Sequence, residues 1–123
     1  MLTGHSRVVA AMLIALLVPL ALGYFGILRL LGSHPWWDFK TALIGAPIGC
    51  VIGLGLMRLG GMMARVIGLV LLGLAIAMAS YGRTQFAASS AEDLFAGKLW
   101  YFGWIGIAAG LSASLVAILA ARR

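Results

Sequence analysis

The sequence predicts an all-α, polytopic membrane protein: a four-transmembrane-helix bundle with a short interfacial helix before the fourth span. Three observations carry that prediction. Of 123 residues, 63% are hydrophobic and only 10% charged, with a mean hydropathy of +1.10, which leaves too few polar side chains to cover a soluble globule of this size. The apolar runs are hydrophobic all round, with no polar face of the kind a water-facing helix carries. Each run is close to the ~20 residues needed to cross ~30 Å of hydrocarbon, whereas barrel strands would be about half as long and would alternate polar with apolar.

The first span is read over about residues 8–31, beginning "VVAAMLIALLVPLALG". His5 and Arg7 ahead of it and "ALG" at Ala21 to Gly23 imitate a secretory signal. The apolar run continues past Gly23, however, so the segment is read as a retained span. The second span covers about 36–57, the third about 63–81 and the fourth about 99–121, and together they form a single domain, 1–123.

Between spans one and two lies "SHPWWDFK". Pro35 suits the first turn of a helix, with Ser33 or His34 as the cap. Asp38 then falls in the N-terminal turn, where the helix dipole favours a negative charge, and is read as a helix-start residue rather than a catalytic acid. The longest polar segment, "GRTQFAASSAEDLFAGK", has Ser90 three residues before Asp93 and Ser89 three before Glu92, both of which resemble a capping signal. A short interfacial helix is expected from about Ala91, meeting the fourth span near Gly97. Glu92 and Asp93 are read first as solvated caps and second as acids able to receive a basic partner.

With the N-terminus cytoplasmic, Arg7, Arg58, Arg65, Arg122 and Arg123 lie inside, and Arg29, Lys40, Arg83 and Lys98 outside. This small excess favours both termini on the inner side of a bacterial inner membrane. The aromatic residues are far more lopsided. Trp36, Trp37, Trp100 and Trp104, with Phe39, Tyr81, Phe86, Phe95, Tyr101 and Phe102, cluster about the two outer loops. Rings of this kind anchor at headgroups, but an ordinary belt decorates both interfaces. One-sided placement predicts that the outer face, through its tryptophans and Glu92 and Asp93, also docks a partner or holds a flat apolar ligand.

Within the membrane, Gly45, Gly49 and Gly53 of the second span and Gly106, Gly110 and Ser114 of the fourth recur at four-residue spacing. Such stripes let helix backbones approach closely where no hydrophobic effect drives association. They predict tight packing of these spans, with each other or with neighbours. Pro19 and Pro47 fall near mid-span, and each frees the carbonyl four residues earlier, those of Ala15 and Leu43. Freed carbonyls at this depth either line a pathway or are satisfied locally.

Residues with catalytic potential are few. His5 and His34 bracket the first span, about 40 Å apart if the chain between them is helical, too far to share a metal or haem. The lone Cys50 sits in an apolar run and reads as an inert thiol. No phosphate loop, serine elbow or embedded carboxylate pair is present, so neither an enzyme acting alone nor proton-coupled transport is expected, and no cofactor or metal site is assigned. The net charge of +6 is accounted for by flanking residues on anionic lipid, not by nucleic acid. Arg7-Val8-Val9 and Arg65-Val66-Ile67 open spans one and three alike, a hint of two parallel hairpins.

Small size, basic character and a near-balanced charge bias resemble the four-helix small multidrug exporters and the dual-topology fluoride channels. The first span lacks the exporters' embedded glutamate, and the channels' polar Asn and Phe/Thr/Ser-rich motifs have no counterpart. The expected function is therefore structural: a small subunit of a larger energy-transducing or transport assembly, docking through its glycine faces and aromatic outer side onto other membrane subunits or itself. The alternatives are a small homo-oligomeric permease, channel or flippase using the kinked first two helices, and a membrane immunity protein.

Overall fold

The computed structural model describes residues 4–31, 37–90 and 92–120, and they are all-helical. Helix α1 spans Gly4–Tyr24, the single turn α2 spans Ile27–Leu30, α3 spans Asp38–Leu56, α4 spans Gly61–Ala88 and α5 spans Leu94–Ala120. Four of these, all but α2, are long and apolar enough to cross a membrane, which marks the chain as an integral membrane protein.

The first span ends earlier than its hydropathy predicts. After Tyr24 the chain turns at Gly26, whose φ of +79° is open to glycine at no steric cost, and α2 follows as a separate turn. Apolarity persists through Leu31, which is why composition alone does not register the break. The α3–α4 connection is a 3₁₀ turn, Met57–Leu59, closed by Gly60 at φ +96°. Asp38 is the first residue of α3, whereas Ser33, His34, Pro35 and Trp36 lie outside the described residues.

The third connection corrects the sequence reading more strongly. Instead of a polar loop and a separate interfacial helix, α4 continues to Ala88 and α5 begins at Leu94, leaving a short turn. Ser90 at φ +57° lies in that turn. Ser89 Oγ donates to the Phe86 carbonyl at 2.9 Å and accepts the Asp93 amide at 2.9 Å. Asp93 Oδ1 accepts the Ala96 amide at 3.0 Å, so Asp93 itself caps α5. Gly97 does not interrupt the helix, because its amide bonds the Asp93 carbonyl at 3.1 Å.

At 28 and 27 residues, α4 and α5 run about 40 Å and outreach a ~30 Å hydrocarbon layer. Basic residues recur at a spacing that matches the thickness of that layer. Arg65 and Arg83 on α4 are eighteen residues apart, about 27 Å along the helix, and Lys40 near the start of α3 and Arg58 in the 3₁₀ turn after it are separated by the same number of residues.

Helix α5 is the centre. It packs along α4 on one side and along α3 and α1 on the other, while α1 and α3 also pack together. More than half of the α5 span is buried, against about a fifth of α1 and of α4. The core is built from small residues: Ala11, Ala15, Ala42, Ala46, Ala108, Ala113 and Ala117 are all buried, while Leu13, Leu17, Val51 and Leu74 face outward. In lipid there is no gain in hiding a leucine, so close backbone approach decides which side faces in.

Candidate functional site: two glycine seams, an aromatic end and lateral grooves

The two glycine stripes lie in different seams. Gly45, Gly49 and Gly53 line the face of α3 that meets α5. A Cβ at Gly45 would collide with the Ile105 carbonyl oxygen, one at Gly49 with that of Ala109, and one at Gly53 would lie 2.7 Å from Val116 Cβ. Gly106 and Gly110 instead face α4: a Cβ at Gly110 would sit 2.7 Å from Leu72 Cα, and one at Gly106 3.1 Å from Ala75 Cβ. Ser114 continues that face, its Oγ 3.0 Å from where Gly68 would carry a Cβ.

Sequence reasoning passed over half of this second seam. Gly103 backs onto Ala79, and Gly82 onto the Trp100 amide and the Ala96 carbonyl. Ala79 and Gly82, with Gly68 and Ala75, form the complementary face of α4. The signal was present as 68, 75, 79 and 82, small residues at helical spacing, but diluted by the larger side chains between them.

The prolines differ. Pro19 is fully buried, and the Ala15 carbonyl that it releases accepts a 2.7 Å hydrogen bond from Ser112 Oγ of α5. Both Ala15 and Ser112 are 0% exposed. The freed acceptor is thus joined to a neighbouring helix rather than turned to a pathway. Pro47 lies at the surface, beside an apolar cleft of about 390 Å³ between α1 and α3 that Met12, Leu13, Cys50 and Val51 also line. Cys50 is buried, its thiol 3.8 Å from the Met12 carbonyl oxygen.

The aromatic side divides into an inner cluster and an outer display. Trp37 stands edge-on to Trp100 at 5.0 Å and to Tyr101 at 4.9 Å, and Phe86 lies 5.8 Å from Trp100. Trp100 and Trp104 are only 9% and 6% exposed and pack with Leu28, Ala42 and Ala79. They close the end of the bundle and present little surface to a partner. Among the described residues, Tyr24, Phe25, Phe39, Tyr81, Phe95 and Phe102 are the exposed rings. Glu92 and Asp93 are exposed in the turn beyond them, Asp93 acting as the cap.

No family model, curated protein or solved structure matches the chain. Function must therefore be argued from the molecule's own surfaces and interior.

The interior offers little chemistry. Its buried polar side chains among the described residues are Thr41, Ser112 and Ser114. No three His, Cys, Asp or Glu side chains come together among the described residues. The surface is more structured. Because α1 and α4 both pack on α5 rather than on each other, a groove of about 310 Å³ opens between them. Leu22 and Leu28 form one wall, Ile76 and Ala79 the other, with Trp104 and Ile107 between, and Ser80, Arg83 and Thr84 at the mouth. A smaller cleft of about 160 Å³ lies between α3 and α4 over Gly106, Ala109 and Ala113.

Proposed function

We propose that this chain is a non-catalytic integral membrane subunit, which docks laterally onto other membrane-spanning subunits of a larger assembly. In this reading the membrane is a bacterial inner membrane with both termini on the cytoplasmic side, and the assembly is an energy-transducing or transport complex.

The observation that carries the reading is the closure of the interior at Pro19, the buried one of the two mid-span prolines where sequence suggested an opening. The carbonyl released by Pro19 is bonded to Ser112, and the glycines of both stripes lie against atoms of the neighbouring helix. An ion or polar solute crossing a single copy would need a continuous row of polar groups. The three buried polar side chains, one of them committed to Ala15, do not form a basis for one. The surfaces left for recognition are lateral. The outward side of α4 displays Met62, Val66, Leu69, Val70 and Leu74, and the aromatic end displays Phe95 and Phe102.

Gentle detergent extraction of the tagged protein from its native membrane, followed by native mass spectrometry, tests the reading. Stoichiometric foreign subunits are expected. A homo-oligomer alone, active in liposome flux assays, would overturn the reading in favour of a permease.

A further inference from the structure

We propose that the groove between α1–α2 and α4 is a binding site for one anionic phospholipid of the leaflet on the aromatic side. Its acyl chain lies against Leu72, Ile76 and Leu111, and its phosphate meets Arg83 with the Ser80 and Thr84 hydroxyls.

Depth, polarity and charge support this occupant together. The groove runs along α4 from Thr84 and Arg83 to Leu72, eleven residues below Arg83, or about 16 Å. That is close to half of a ~30 Å hydrocarbon layer, the depth of one leaflet. Its polar groups are confined to the mouth, at the level that the Arg65–Arg83 spacing assigns to the headgroups. Below Ser80 the lining is apolar, with the Trp104 ring on the floor.

Charge selects the headgroup. Among the described residues the lining includes one guanidinium and no carboxylate. A guanidinium pairs bidentately with phosphate, and hydroxyls one turn apart on the same helix face add donors to the same anion. A zwitterionic lipid would bring an ammonium to a mouth whose described lining residues include no acid to receive it. The site belongs to the folded chain alone, so its test does not depend on any protein partner.

The test is native mass spectrometry of the purified full chain, titrated with equimolar phosphatidylglycerol and phosphatidylcholine of identical acyl chains. The wild type is expected to retain one lipid, preferentially phosphatidylglycerol. Arg83→Gln is expected to lower that preference about fivefold or more, the factor that one surface arginine contributes. Arg58→Gln, an equal charge change at the other membrane face, is expected to leave it unchanged. Ile76→Trp fills the groove from a lipid-exposed position, keeps the charge, and is expected to abolish retention of both lipids, with unchanged helicity by circular dichroism. An undiminished preference in Arg83→Gln, equal losses in Arg83→Gln and Arg58→Gln, or full retention by Ile76→Trp would each overturn the proposal.

Discussion

The hydrogen bond from Ser112 to the carbonyl of Ala15 allows a prediction that separates a local repair from ordinary packing. Pro19 has no amide hydrogen, so the Ala15 carbonyl lacks its helical donor. Ser112 Oγ supplies one at 2.7 Å, the usual O–H···O distance. Both residues are fully enclosed, so water cannot stand in. Ser112→Ala removes one oxygen and leaves that carbonyl bare. A buried acceptor without a partner costs about 1–3 kcal/mol, and interhelical hydrogen bonds in membranes contribute about 0.6–1.7 kcal/mol. The expected loss is therefore about 1–1.7 kcal/mol, where these ranges overlap.

The decisive arm is the same substitution in a Pro19→Ala background. There the new amide at position 19 bonds the Ala15 carbonyl in the ordinary i to i−4 pattern, and Ser112→Ala should cost under about 0.5 kcal/mol. Unfolding in mixed micelles, followed by the fluorescence of the buried Trp100 and Trp104, measures all four corners of the cycle. Equal costs of Ser112→Ala in the two backgrounds would refute the reasoning, because the hydroxyl would then act independently of the proline.

Two further outcomes follow from the packing and the caps. Gly49→Leu drives a side chain into the α5 backbone at Ala109 and Ser112 and should cost about 3 kcal/mol or more. Gly55→Ala, six residues along the same helix with nothing within 4 Å, should be neutral or stabilising by up to about 1 kcal/mol. Melting temperatures in detergent compare the two, and similar losses would mean that α3 turns another face to α5. Asp93→Ala removes the N-cap of α5 and should cost about 1 kcal/mol, with faster hydrogen exchange at the Ala96 amide. Unchanged protection there would show that the cap is not formed.

Legibility varied along the chain. The Pro19 argument reached the correct carbonyl from sequence, since the loss of an amide is a covalent fact with a fixed offset of four residues. It did not reach Ser112, 97 positions from Ala15, because nothing local links them. The polar stretch after Tyr81 was misread as a loop: Arg83, Thr84 and Gln85 are polar because α4 has left the hydrocarbon, not because the helix has ended. Trp37, Trp100 and Trp104 pack in one cluster, and the burial of Trp100 and Trp104 depends on Gly82, Ala42 and Ala79 making room for them.

The amino-acid sequence by itself determined the solvent, the number of long apolar helices and the positions of the small residues, because each depends on composition over a span or on a covalent property of glycine and proline. The tertiary structure decided which stripe meets which helix, that α5 is the centre, and that α1 and α4 stand apart to leave a groove. In a soluble protein polarity tells a helix which way to face. In lipid both faces are apolar and facing is set by the fit of volumes between helices, a property of pairs that no single segment contains.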